Sequence, residues 1–124
     1  RLVETAVSYA RTRQQFGQPI GKFQAIQHKV ADMKMRLEAS RLLVYKAASM
    51  LDKSKMVGLD AAMAKVFVSE SLVQVAMDTM QIHGGYGYCT EYQVERQVRD
   101  ALGSTLYSGT SEMQRQTIAR WMGL

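Results

Sequence analysis

Between Phe23 and Leu51, apolar and small residues recur at steps of three and four: Phe23, Ile26, Val30, Met33, Leu37, Ser40, Val44, Ala47 and Leu51. This spacing keeps one face of an α-helix continuous for about eight turns, and no strand can use it, because neighbouring side chains of a strand point to opposite faces. A second pattern places Leu59, Met63, Val66, Phe67, Val73, Met77 and Met80 on one face, with Asp60 set to cap its start and Gly84 and Gly85 to end it. Two helices of this length can bury their stripes only against each other and against further helices, so the chain is confined to a helical bundle.

The remaining punctuation divides the chain into shorter pieces. Gly17, Pro19 and Gly21 mark a loop before the first long helix, and residues 53–58 mark a turn after it. Thr90 and Gln93 have capping-box spacing that predicts a helix running to Ala101, and Ser111 and Gln114 repeat that spacing for a last helix to Met122. RLVETAVSYARTR reads as helical from Arg1 onward with no Ser, Asp or Asn before it, so the chain is expected to open inside a helix and to be the C-terminal piece of a longer protein. The predicted architecture is all-α: one antiparallel, four-helix-bundle-like domain over residues 1–124, with two long and three shorter helices, short connections and no alternating β pattern.

Composition narrows the functional classes. A length of 124 residues suffices for one core and not for two. No apolar run approaches the ~20 residues of a membrane span. The single cysteine, Cys89, cannot form a disulfide within the chain, which fits a reducing compartment. The net charge of +5 comes from sixteen Lys and Arg spread among eleven acids without a basic block, a balance that suits an anionic small molecule such as a nucleotide as well as it suits a polymer.

Three small-residue breaks carry what chemistry the sequence offers: RQQFGQPIGKFQ at 13–24, QIHGGYGY at 81–88 and YSGTSE at 107–112. Gly84 and Gly85 are no dinucleotide fingerprint, since no strand precedes them and the G-x-G-x-x-G spacing is missing. His28 and His83 fall on different helices beside one cysteine, so no metal site is expected. Ser108 follows a helix and has glycine on one side only, unlike the nucleophile elbow of hydrolases. A glycine among hydroxyls ahead of a helix start can present backbone N–H groups to an anionic or polar ligand, and it can equally be a plain cap. Glu70 lies between Phe67 and Val73 on the apolar stripe, where an acid must be paired; a partner Arg or Lys from a neighbouring helix is expected. Asp32, Glu38 and Asp52 are read as solvated helix faces.

RTRQQFGQPIGKFQAIQHKVADM, AMDTMQIHGGYGYCTEYQVERQVRDA and YSGTSEMQRQTIAR, in this order and spacing, resemble the C-terminal helical domain of the acyl-CoA dehydrogenase family, and the resemblance runs from Arg1 to the end. It implies a flavoprotein in which a carboxylate removes the α-proton of an acyl thioester while FAD takes the β-hydrogen as hydride. It also implies N-terminal helical and middle β domains that this chain does not contain, and a homotetramer with FAD held across a subunit interface. On that basis Arg13, Gln15 and Phe16 would contact the FAD of a neighbouring subunit, with Gln24 joining them. Gln81, Gly84 and Gly85 would line the adenosine or pyrophosphate part of the same cofactor, and Thr110 and Glu112 would touch FAD in this subunit's own site. The implied partners are acyl-CoA or another acyl thioester and an electron-transfer flavoprotein or similar acceptor, with no nucleic acid and no membrane span. The implied location is the cytoplasm in a bacterium or the mitochondrial matrix in a eukaryote.

One position departs from the commoner pattern. Many members of the family carry the catalytic Glu where this chain has Ser108, and a serine hydroxyl is far too weak a base for an α-proton. Ser108 would then supply only its backbone N–H to the thioester carbonyl. The carboxylate is expected upstream of Arg1, on the helix whose second half opens this chain, as in a minority branch of the family. Two alternatives stand beside this reading: a non-catalytic subunit that helps build a partner's flavin site, and a dehydrogenase of carrier-protein thioesters.

Overall fold

The computed structural model describes residues 1–52 and 57–124. Its helices are α1 (Leu2–Thr12), α2 (Gln24–Asp52), α3 (Gly58–His83), α4 (Gly85–Tyr88), α5 (Val94–Ser104) and α6 (Ser111–Trp121). The all-α expectation holds, with one addition: β1 (Gln14–Gln15) and β2 (Gln18–Pro19) form a two-residue antiparallel hairpin with Gln15 opposite Gln18. The expected turn over 53–58 falls mostly outside the described residues, as does the side chain of Asp52.

Helix α3 is the centre of the fold and packs against α1, α2, α5 and α6. A helix surrounded in this way must be thin, and its buried positions include Ala62, Ala64, Ser69, Ser71, Ala76 and Thr79. The hydroxyls among them add no unmet polar group where they turn back on the helix: Ser69 Oγ donates to the Lys65 carbonyl at 2.8 Å and Thr79 Oγ1 to the Val75 carbonyl at 2.7 Å. The sequence reading put the large residues of α3 on the packed face, and two of them, Phe67 and Met77, are exposed instead. The reason is steric: neighbours on several sides leave room for methyl and hydroxyl groups, so part of the bulk is displaced outward.

Ion pairs fix the helix directions. Lys29 meets Asp78 and Lys46 meets Asp60, each at 2.9 Å, so residue numbers rise along α2 as they fall along α3. On another side, Lys65 Nζ donates to the Thr105 carbonyl at 3.3 Å, Arg115 holds Glu70, and the Trp121 indole lies over Gly58. Thus α5 and α6 run one after the other along α3, antiparallel to it, as a fourth column broken near Ser108. Apolar residues of α1, α2 and α3 close one core around Ala6, Ala10, Met33, Val75 and Ile82; Ala76, Val98 and Ala101 close a second between α3 and α5.

Several boundaries differ from expectation. The α2 stripe is partly buried at Phe23, Ile26 and Val30 and fully buried at Met33, but it ends in the open, with Val44 45% and Leu51 66% exposed. Asp60 does not cap α3, which begins at Gly58; it sits in the first turn, where the helix dipole favours a carboxylate, and pairs with Lys46. Thr90 opens a 3-10 turn rather than a helix, because Gln93 adopts φ 56° and α5 starts only at the buried Val94. The cap of α6 is Thr110, whose Oγ1 accepts the Met113 N–H at 3.4 Å, while the expected cap Ser111 is buried inside the helix. Glu38 lies in a solvated cluster with Lys34 and Arg41, as expected, and Asp32 is exposed.

Replacing the fully buried Ala76 by Leu is expected to destabilise the fold by about 1–3 kcal/mol, the ordinary cost of overpacking a closed core. Denaturant unfolding measures it, and an unchanged midpoint would show that α3 is not closely packed there.

Candidate functional site

Arg13 stands where α1 ends, and its backbone is held on both sides. Its N–H donates to the Tyr9 carbonyl and its carbonyl accepts the Ile20 N–H, each at 2.8 Å. The chain reverses at once through Phe16 (φ 52°) and Gly17 (φ 78°), the two positive φ values of a type I′ hairpin turn. Phe16 is 92% exposed at the tip, its ring edge-on to Phe23 with centroids 6.1 Å apart. A bulky aromatic in the left-handed region with its ring in solvent works against both backbone preference and the hydrophobic effect, which points to a ligand or partner surface there.

The second break arrives on the same side. Helix α3 stops at His83, Gly84 turns the chain, and the short α4 folds back so closely that a Cβ on Gly87 would lie 2.7 Å from the Met80 carbonyl oxygen. Two glycines are therefore required here: Gly84 for its backbone, at φ 59° and ψ −141°, and Gly87 for this close approach, which the sequence alone does not single out. Gly85, by contrast, faces open space. The Gly84 N–H is already engaged, donating to the Gln81 carbonyl at 3.2 Å.

Between the two breaks lies an open groove of about 680 Å³ lined by Arg13, Gln15, Phe16, Gln81, Gly84 and Gly85, together with Tyr9, His83 and Tyr86. Six of the sequence-predicted residues are thus gathered in one place. Gln24 is not among the lining residues: it opens α2 as an exposed residue beside Phe23, which does line the groove. The Arg13 guanidinium sits 5.0 Å above the Tyr86 ring, and no Asp or Glu lines the groove among the described residues. Tyr9, His83, Tyr86 and Tyr92 form one aromatic cluster, with Tyr9 and His83 stacked at 4.0 Å and the rings of Tyr86 and Tyr92 tilted by 41° with centroids 5.2 Å apart. Sequence reasoning treated His83 only as a failed metal ligand; the aromatic density of QIHGGYGYCTEY was the signal available.

Ser108, Thr110 and Glu112 lie elsewhere, at the break between α5 and α6. Arg115, one turn into α6, holds Glu70 through two contacts of 2.7 and 2.8 Å, and Glu70 is about 21 Å along α3 from Gly84. The predicted partner for Glu70 is therefore present, although the pair is half-exposed rather than buried. The Arg115 contact holds the Glu70 carboxyl below the usual carboxylate range. Glu112 is also lowered, by the backbone N–H at its own position and by the Thr110 hydroxyl. Ser108 has φ 56° and Gly109 φ 86°; the Gln114 amide donates to the Ser108 carbonyl at 3.0 Å and fills the space a Cβ on Gly109 would need. Among the described residues the N–H groups of Ser108, Gly109 and Thr110 donate to no acceptor of this chain. The turn presents donors and no base.

Phe16→Asn is expected to raise stability by up to about 1 kcal/mol, since Asn tolerates the left-handed region far better than Phe. Thermal unfolding reads the sign; a loss would mean that the edge contact with Phe23 outweighs the backbone strain.

The acyl-CoA dehydrogenase C-terminal domain model matches residues 1–123. A 3-(aryl)acrylate reductase of Clostridium sporogenes is 50% identical over 117 residues, 94% of this chain and 31% of the relative. The crystal structure of the prolyl acyl carrier protein oxidase AnaB superposes with a TM-score of 0.97 at 48% identity, covering all of this chain and 33% of the other. An FAD complex of PigA gives 0.96 at 40% identity, covering 100% and 32%. The chain thus spans about a third of the length of the relatives it matches. With the helical order, the two breaks and the family match in agreement over its whole length, the chain belongs to the acyl-CoA dehydrogenase family, whose C-terminal domain it forms.

Proposed function

We propose that the protein is an FAD-dependent dehydrogenase of acyl thioesters and that this domain supplies one wall of a flavin site together with the turn that faces the thioester. The groove carries the reading: a cation without carboxylate neighbours, an open glycine turn and exposed aromatic rings meet in one place, which is what a dinucleotide with a pyrophosphate and a flat adenine requires. Arg13 would hold pyrophosphate oxygens bidentately, Gly85 would admit the backbone close to them, and Gln15, Phe16 and Gln81 would pack or hydrogen-bond along the nucleotide. Gln24 would reach it only from the margin. Bound FAD supplies the acceptor for the substrate's β-hydrogen.

The second cluster acts at the substrate end. Thr110 and Glu112 would contact the flavin of this subunit's own site, and the Ser108 N–H would donate to the thioester carbonyl and stabilise the charge that develops on its oxygen. Because the two clusters lie far apart on α3, they would serve two cofactors, which accords with a homotetramer sharing FAD across subunit interfaces. Acyl-CoA or a carrier-bound acyl group is the proposed substrate and an electron-transfer flavoprotein or similar acceptor the proposed partner. Among the described residues no helix is long and apolar enough to cross a membrane. The bacterial cytoplasm or the mitochondrial matrix is the proposed location.

Ser108 supports a second reading. With no carboxylate on that turn, the base must come from another part of the protein, or the chain is a non-catalytic subunit that builds a partner's site. The likeness to a prolyl carrier-protein oxidase supports carrier thioesters as substrates.

Changing Arg13 to Ala in the complete protein is expected to remove a charge-assisted contact of about 1.5–3 kcal/mol, roughly tenfold or more in FAD affinity, with activity returning in excess FAD. Full flavin content with lost turnover would refute the assignment. Ser108→Ala should change turnover little, whereas loss of a true general base costs about 10²- to 10⁴-fold. Turnover with a matched acyl thioester separates these, and a loss of several hundredfold would show that the hydroxyl itself takes part.

A further inference from the structure

We infer that Tyr9 and His83 form a positioning latch that sets the glycine turn at a fixed place relative to Arg13, so that cation and turn bind as one unit. The inference rests on the reading of this groove as a flavin nucleotide site.

The latch begins with one peptide plane. The His83 carbonyl and the Gly84 N–H belong to the same planar unit, so fixing the carbonyl direction fixes how the glycine turn leaves α3. The Tyr9 hydroxyl donates to that carbonyl at 3.4 Å. Burial raises the Tyr9 pKa, which keeps the hydroxyl protonated and able to donate. The Tyr9 ring lies nearly parallel to the His83 imidazole, with centroids 4.0 Å apart and planes 21° from parallel. The imidazole is held from its other end, because Nδ1–H donates to the carbonyl of the fully buried Thr79 at 2.8 Å. Tyr92 stands edge-on to both rings, at 6.3 and 6.4 Å.

Tyr9 also reaches Arg13. The two residues are one helical turn apart, and the Tyr9 carbonyl accepts the Arg13 N–H at 2.8 Å. On the far side of the turn, Tyr86 lies beneath the Arg13 guanidinium. The contacts therefore close a circuit: Tyr9 to His83, through Gly84 and Gly85 to Tyr86, across to Arg13 and back along α1 to Tyr9. A closed circuit restrains its members more than an open chain of the same contacts, since no link can swing without displacing the next. Tyr9 and His83 act on a ligand through Arg13 and the turn, and neither is needed for the chemical step.

The test is an FAD titration of the complete apoprotein and its Tyr9→Leu, Tyr9→Phe, Arg13→Ala and Tyr9→Leu/Arg13→Ala variants, read by flavin fluorescence. Tyr9→Leu keeps apolar volume but loses the stack and the hydroxyl, and should weaken FAD binding by about five- to tenfold. Tyr9→Phe keeps the stack and should stay within about threefold of the parent. The decisive quantity is coupling: Arg13→Ala, worth roughly tenfold in the parent, should cost less than about threefold in the Tyr9→Leu background, because the guanidinium and the turn are already out of register. Independent, multiplying effects would overturn the latch, as would a Tyr9→Leu protein of lower melting temperature but unchanged FAD affinity. His83→Leu, measured in parallel, should show the same coupling to Arg13 and decides the matter if Tyr9→Leu does not fold. If Arg13→Ala leaves FAD affinity unchanged in the parent, the flavin reading of the groove fails, an outcome distinct from the failure of the latch.

Discussion

Everything in this domain is arranged around a helix thin enough to be surrounded. Ala62, Ala64, Ser69, Ser71, Ala76 and Thr79 let other helices approach the α3 backbone from several directions, and part of its bulk lies outside the buried set. A helix packed on one side needs a single apolar stripe; a helix packed on several sides needs small residues around its circumference and internal partners for any hydroxyl it carries. Ser69 and Thr79 meet the second condition by donating to carbonyls one turn back. The cost of this arrangement is low tolerance, since one added methylene has nowhere to go.

Because α3 is the common partner, breaks in the other helices come to rest at defined heights along it. The α1–α2 connection and the α3 terminus meet at one end, where Arg13 and the glycine turn share a groove. The break between α5 and α6 falls partway down, where the Glu70–Arg115 pair ties the start of α6 to α3. That pair is half-exposed and worth little as a surface ion pair, but its two-point geometry sets the direction of α6 and so of the Ser108–Glu112 turn. The distance between the two clusters is thus a property of the scaffold, fixed by positions on one helix.

Periodicity made the two long helices and the bundle legible, because a 3-4 repeat over eight turns has one structural meaning. It misread the packed face of α3, since a scan for large apolar residues finds a stripe and overlooks a ring of alanines and hydroxyls. Caps were less legible than helices: Ser111 and Thr110 are both able caps, and the choice between them follows from burial of Ser111, which no local pattern records. The groove was legible through the family motifs in Arg13, Gln15, Phe16, Gln81, Gly84 and Gly85. Its rear wall of Tyr9, His83 and Tyr86 was not, because Tyr9 stands 74 residues from His83 and only packing on α3 brings them together. Gln24 shows the converse, since adjacency to Phe23 in sequence does not place it in the lining.

Among the described residues, three other than glycine hold positive φ: Phe16, Gln93 and Ser108. Each is a position where the chain must turn and where a neighbour has already fixed the next step. Phe16 is set by the hairpin pairing of Gln15 with Gln18, Gln93 by burial of Val94, and Ser108 by the Gln114 amide on its carbonyl. Such conformations persist only when their surroundings over-determine them, so the strain measures how firmly each turn is held. At Gln93 the held turn only starts a helix. At Phe16 it places an exposed aromatic ring beside Arg13, and at Ser108 it leaves backbone donors without an acceptor among the described residues. Both of those turns sit in the segments that carry the family motifs. The rigidity that keeps a phenylalanine and a serine in an unfavourable backbone region is the same rigidity a bound cofactor and thioester would need from their walls.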